Sequence, residues 1–282
     1  MNPEVCILGG TGYLGSVLAR ELLTRGLTPI TVSRRAQSVI SLDLHDVDEL
    51  QGFLKERQFA SLVNLAGSGV DAGSRNTTEM QFLNSQLPAK LVEVIADVAP
   101  ATALLHVASA TEPTDGSKPE SDYSATKGLG THRFSSAVSE NGILGAIAVV
   151  HNVYGPHQPR GRFVSTAIHS ALVNSDIRLN YPDRVRDFTY EADAAHWFSQ
   201  WVRNPSRSPR TFEVGSGCGV SLQTVVDQIK HLLPESTMSV LKSHEVTSDP
   251  NPVVVSNLHA GDFGFCPTPL SEGLQRTIEQ RM

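Results

Sequence analysis

Tyr123 and Lys127 stand four positions apart, the spacing that puts two side chains on one face of a helix. A phenol is neutral at pH 7 and a poor base, and an ammonium one turn away stabilises its phenolate. Such a pair can give a proton to a carbonyl or take one from an alcohol. Ser109, with Thr111 as its back-up, follows the apolar run 103–108 and can hydrogen-bond a developing alkoxide. Near the start of the chain, Gly9-Gly10-Thr11-Gly12-Tyr13-Leu14-Gly15 separates the apolar run 5–8 from residues 16–23, whose apolar positions recur at helical spacing. Strand, glycine-rich turn and helix in that order suit a dinucleotide. Gly9 allows a tight turn, Gly12 lets backbone approach a pyrophosphate, and Gly15 lets the helix pack closely. Around Thr11, Tyr13 and Leu14, first-turn N–H groups without an internal partner are left to hold phosphate oxygens.

These residues need a scaffold, and the rest of the sequence predicts one. Strands are expected at 28–33, just before Asp43-Leu44, and at 61–65, 103–108 and 144–150, with helices at 47–56, from near 78 to 98 despite Pro88, and from Leu222 to Leu233. No internal repeat or low-complexity segment interrupts this alternation, so the expected fold is α/β, a doubly wound parallel sheet of Rossmann type with a small C-terminal substrate lobe. The Rossmann domain is assigned to 1–151, its sheet completed by a strand near 210–215, and 152–282 is mainly the lobe. At the end of the second strand, an acidic residue would accept hydrogen bonds from the adenosine ribose and select NAD. Ser33, Arg34 and Arg35 stand there instead. A hydroxyl and two guanidiniums suit a 2′-phosphate, which predicts NADP(H), with NAD(H) the weaker candidate.

The chain of 282 residues, 40% hydrophobic and 18% charged, can bury a large core. A net charge of −6 without a basic block argues against nucleic acid as the main partner. The start carries no cationic secretory pattern and no apolar run is long enough to span a bilayer, so a cytoplasmic location is expected, with no membrane partner. Cys6, Cys218 and Cys266 show no metal or redox spacing.

The segment GGTGYLG resembles the short-chain dehydrogenase/reductase superfamily, and within it the extended branch of nucleotide-sugar epimerases, dehydratases and reductases. The order of glycine turn, strand-end serine and Tyr-x-x-x-Lys is similar to that family's, and the resemblance runs from Val5 to about Leu233. It implies catalytic roles for Ser109, Tyr123 and Lys127, with Lys127 also reaching the nicotinamide ribose. It implies cofactor contacts for Asp43 and Leu44 beside the adenine, for the strand end Leu65, Ala66 and Gly67, and for Asn84, which in the family helps hold a water or a backbone kink near the active site. Asp43 reads equally well as a helix or turn cap, and Asn84 as a solvent-facing polar residue. On the substrate side the resemblance implies Ser109, Thr111, Asn152 and Arg186, the last two against a nucleotide diphosphate. Arg186 could instead form an ion pair with Asp187 or Asp193.

Two departures from the family are visible. Glu112-Pro113-Thr114 stands where a Val-Tyr-Gly segment is usual, and Val149 where an arginine is often found. A dehydratase would carry an Asp-Glu pair right after the strand-end hydroxyl, where this chain has Ala110-Thr111. The expected reaction is therefore NADPH-dependent reduction of a keto group on a nucleotide-linked deoxysugar. A nucleotide-sugar 4-epimerase is the alternative, and a non-catalytic NADP(H)-sensing or scaffold protein is the reading from another class. A homodimer is expected from the resemblance.

Overall fold

In β1 (Glu4–Leu8) every residue from Val5 to Leu8 is buried, as a central strand covered on both faces requires. The computed structural model describes residues 3–34, 39–70, 76–113, 118–207, 210–242, 253–257 and 266–282. Arg35 and Thr114 therefore lie outside the described residues. The chain divides into two compact units, Met1–Val149 with Ala195–Phe212, and Val150–Ala194 with Glu213–Met282.

After β1 come α1 (Tyr13–Thr24), β2 (Thr28–Ser33), β3 (Ile40–Ser41), α2 (Val47–Glu56) and β4 (Ser61–Asn64). Then follow α3 (Thr77–Met80), a π-helical turn (Gln81–Gln86), α4 (Leu87–Val98), β5 (Ala103–Ser109), α5 (Asp122–Asn141) and β6 (Gly145–Val150). With β10 (Thr211–Val214) the strands make a seven-stranded sheet in the order β10-β6-β5-β4-β1-β2-β3. The pairings of β1 with β2 and β4, of β2 with β3 and of β4 with β5 are parallel. This is the doubly wound Rossmann order with one strand added beyond β6.

The local signals explain the helices. Asp46 caps α2 by accepting from Glu49 N–H, and acidic Asp48 and Glu49 open the helix that Lys55 closes, as the helix dipole favours. Ser121 and Ser124 form a reciprocal capping box at the start of α5, and Gly142, at φ 68°, ends it in the left-handed region.

The structure adds local detail to the sequence expectation. The helix expected from 78 to 98 is present and runs without interruption from Thr77 to Val98 as α3, the π turn and α4, with Pro88 in the first turn of α4. The third strand pairs with β2 at Ile40 and Ser41, ahead of Asp43-Leu44. Residues 195–210 belong to the first unit. There Phe198, Trp201 and Val202 are buried, and Ser61 of β4 donates to the Val202 carbonyl at 3.4 Å.

The second unit contains β7 (Asn152–Tyr154), α6 (Phe163–Leu172), β8 (Ile177–Leu179), β9 (Val185–Tyr190) and the start of α7 (Glu191–Arg203). Beyond β10 it continues with β11 (Gly219–Ser221), α8 (Leu222–Leu232), β12 (Val240–Lys242), β13 (Val253–Val254) and α9 (Leu270–Glu279). β9 is its central strand, antiparallel to β11 and parallel to β13 and β7. Its core holds Tyr154, Ile168, Phe188, Tyr190, Ile229 and Leu274.

Candidate active site

The turn after β1 is built on missing side chains. Gly9 sits at φ 74°, and a Cβ there would lie 2.9 Å from the Ala66 nitrogen. A Cβ on Gly15 would lie 2.4 Å from the Gly9 carbonyl oxygen, so α1 rests directly on the turn. Gly10, to which the sequence reading gave no role, lies so close to Thr31 that a Cβ would come within 2.5 Å of its Cβ. Gly12 is the N-cap of α1 and brings no capping side chain, so the backbone N–H groups of the first turn are not covered by one. An N-terminus stripped of side chains in this way fits a pyrophosphate.

At the end of β2, Thr11 Oγ1 donates to Ser33 Oγ at 2.9 Å, and Arg34 Nη2 donates to Glu79 Oε1 at 2.7 Å. The His45 ring stacks on Phe82 with centroids 4.1 Å apart. Asp43 Oδ1 accepts from His45 N–H at 3.1 Å, and these hydrogen bonds from His45 hold its carboxyl below the usual range. Asp43 thus closes a turn, while the helix cap is Asp46. Leu44 is buried in the core.

After β4, Leu65 N–H donates to the Leu8 carbonyl at 3.0 Å and Ala66 N–H to Asn64 Oδ1 at 3.2 Å. Asn84 lies in the π turn and is fully buried, which removes the solvent-facing alternative. Its Oδ1 accepts from Ser68 N–H at 3.0 Å, and its Nδ2 donates to the Ser68 carbonyl at 2.9 Å and to Thr126 Oγ1 at 3.1 Å. A Cβ on Gly67 would stand 3.2 Å from that same Oδ1. Asn84 therefore ties the loop after β4 to α5.

Tyr123 is half-buried in the first turn of α5, and Lys127 is buried one turn further on. Lys127 Nζ donates to the Val107 carbonyl at 2.6 Å, which joins α5 to β5 two residues before Ser109. An ammonium has three donors, and this bond takes one. Burial pushes the Lys127 ammonium below its ordinary pKa, and the Glu112 carboxylate works against that shift. Ser109 Oγ and Thr111 Oγ1 share a hydrogen bond of 2.9 Å. Glu112 Oε1 accepts from Ser109 N–H at 2.7 Å. Burial raises the Glu112 pKa, against the Lys127 charge and a hydrogen bond from Thr131. Pro113 lies against Gly128, where a Cβ would come 2.9 Å from its Cδ. Sequence reasoning gave Glu112 no role. The one available signal was an acid in the segment where the resemblance expects Val-Tyr-Gly.

In the second unit, Asn152 Nδ2 donates to the Asp187 carbonyl at 3.4 Å, and buried Arg186 donates from Nη1 to the Val185 carbonyl at 2.8 Å. The Asp187 carboxylate accepts from the N–H and hydroxyl of both Ser216 and Ser256, and from Gly217 N–H. Burial opposes ionisation of Asp187, but these bonds outweigh it and hold its pKa below the ordinary value. Asp193 accepts from the N–H and hydroxyl of Thr268. Among the described residues no group of three or more His, Cys, Asp or Glu could hold a metal ion, and no helix is long and apolar enough to cross a membrane.

Comparison with known proteins bears on this arrangement. A family model described as "NAD dependent epimerase/dehydratase family" matches residues 5–215. A curated relative, the dTDP-6-deoxy-L-talose 4-dehydrogenase (NAD(P)(+)) of Kitasatospora kifunensis, is 27% identical over 274 residues, covering 88% of this chain and 83% of its own. Among solved structures, Pal from Bacillus thuringiensis superposes with a TM-score of 0.85 at 16% identity, covering 99% of this chain and 98% of its own. The UDP-glucose 4-epimerase of Thermus thermophilus, in complex with NAD, gives 0.78 at 20% identity, covering 98% of each chain. At such identities the two structures speak for the fold.

Proposed function

The chain belongs to the NAD dependent epimerase/dehydratase family, and from that premise we propose that it reduces a keto group on a nucleotide-linked deoxysugar, with NADP(H) favoured over NAD(H). The observation that carries this reading is the joint between α5 and β5. Lys127 is bonded to Val107, and Ser109, whose hydroxyl is paired with that of Thr111 in the turn beyond, ends the same strand. The relative named as a 4-dehydrogenase using NAD(P)(+) supports redox chemistry on a dTDP-linked deoxysugar.

The bound nicotinamide supplies the hydride. The chain's own residues handle the proton and the charge. Tyr123 gives its proton to the carbonyl oxygen, and the Lys127 ammonium one turn away favours the phenolate left behind. Within the Ser109–Thr111 bond one hydroxyl donates and the other keeps its proton for the substrate oxygen, whichever way the bond is polarised. The bond from Ser109 N–H to Glu112 fixes the strand end that carries these hydroxyls. The glycine turn with the N-terminus of α1 holds the pyrophosphate. Ser33, Arg34 and Arg35 favour a 2′-phosphate, and Asn152 and Arg186 serve the substrate diphosphate.

The test is to incubate the purified chain with NADPH and a dTDP-linked 4-keto-6-deoxyhexose and follow nicotinamide absorbance. Stoichiometric NADPH oxidation, lost in Tyr123→Phe, is the expected result. Stoichiometric NAD that survives purification, with sugar conversion and no net cofactor turnover, would replace this reading by the epimerase.

A further inference from the structure

A guanidinium and a carboxylate are set against one another at the end of β2. Arg34 comes from the strand end and Glu79 from α3, 45 residues later. Arg34 Nη2 donates to Glu79 Oε1 at 2.7 Å; the arginine side chain is 60% exposed and the glutamate only 16%. The second Glu79 oxygen lies 3.4 Å from His45 Nε2, and His45 Nδ1 lies 3.0 Å from Asp43 Oδ1. Glu79 is fixed by more than its charge: its N–H donates to Asn76 Oδ1 at 3.2 Å, the cap of the turn that leads into the π segment. Residues 34–42, directly after β2, include no acid, and the fold brings Glu79 to Arg34 from another element.

We propose that Glu79 sets the balance between NAD(H) and NADP(H) by holding Arg34. This rests on the Gly9–Gly15 turn being a dinucleotide site. An unopposed guanidinium favours a 2′-phosphate through charge-assisted hydrogen bonds. A carboxylate accepts from ribose hydroxyls and repels a phosphate. Adenosine-binding sites of this fold commonly offer one of these groups after the second strand. This chain offers both, bonded to each other, so an incoming 2′-phosphate must share Arg34 with a fixed negative charge. The pair weakens a preference that Ser33, Arg34 and Arg35 would otherwise make strong, and keeps the free-ribose cofactor usable.

Calorimetric titration of the full chain with ADP and with adenosine 2′,5′-bisphosphate reads this balance without turnover. In Glu79→Gln the bisphosphate should bind about tenfold tighter, the effect of roughly 1.4 kcal/mol, while ADP moves by less than about twofold. Glu79→Asp, which keeps the charge, should stay near the wild-type ratio, and Arg34→Gln should weaken the bisphosphate by about tenfold. If both nucleotides bind and Glu79→Gln leaves their ratio unchanged, the role of Glu79 is overturned and the dinucleotide site stands. If the wild-type chain binds neither nucleotide, the dinucleotide site fails and takes this proposal with it.

Discussion

Gly130→Ala should destabilise the first unit, against the ordinary rule for a helix. Gly130 lies inside α5, where alanine is normally worth about 1 kcal/mol more than glycine. Here an added Cβ would stand 1.8 Å from the Asn84 carbonyl oxygen, 2.9 Å from its carbon and 3.1 Å from Ser85 Cα. These are backbone atoms, so no rotamer change relieves the overlap. α5 and the π turn would have to separate by roughly 1.5 Å to reach ordinary contact. Forced overpacking costs about 1–3 kcal/mol, and losing the Asn84 bond to Thr126 adds about 1 kcal/mol. Set against the helical gain of about 1 kcal/mol, the net loss is roughly 1–3 kcal/mol, or a fall of about 2–12 °C in melting temperature. Gly52→Ala is the control. It is exposed on the outer side of α2 with nothing within 4 Å of its added Cβ, so it should gain up to about 1 kcal/mol. Thermal unfolding followed by circular dichroism compares the two. A Gly130→Ala chain that melts at or above wild type would refute the close approach of α5 to the π turn, and with it the anchoring of Asn84.

Tyr123→Phe should lower kcat by roughly 10²–10⁴-fold while nucleotide binding by calorimetry stays near wild type; equal losses in both would speak for a structural tyrosine. Gly15→Ala, whose Cβ would meet the Gly9 carbonyl at 2.4 Å, should abolish nucleotide binding in the same titration. Glu112→Gln keeps an acceptor for Ser109 N–H but removes the charge that supports the Lys127 ammonium, so the alkaline limb of the activity profile should move to lower pH. A uniform loss at every pH would assign Glu112 to folding alone. Asp187 has a depressed folded pKa, so its contribution to stability is present above the unfolded value of about 3.9 and is lost as pH falls through the folded one. Urea unfolding between about pH 5 and pH 2 should show that loss in wild type and a flatter dependence in Asp187→Asn, since asparagine does not titrate there.

What the sequence makes legible is what neighbouring residues decide. β2 spans 28–33 and α2 spans 47–56, as alternation and periodicity predict, because an alternating strand and an Asp-capped amphipathic helix carry their own signals. The helix expected from 78 to 98 contains nothing local that announces a π turn. Its wide turn faces Gly130, an element away, and only the fold brings the two together.

The same division runs through the candidate site. The glycine turn and the Tyr123–Lys127 spacing are short-range patterns, and the structure puts them after β1 and on the first turns of α5. The acids are different. No residue pattern tells which partners Glu79, Glu112 and Asp187 meet. Arg34 lies 45 residues before Glu79, Lys127 lies on the helix after Glu112, and Ser256 lies 69 residues after Asp187. A lone carboxylate has no period and no spacing, so its meaning comes from the charge or donors that folding delivers to it. Glu79, Glu112 and Asp187 take their meaning from an arginine, a lysine and the donors around a buried β-strand, and reading them required the tertiary fold.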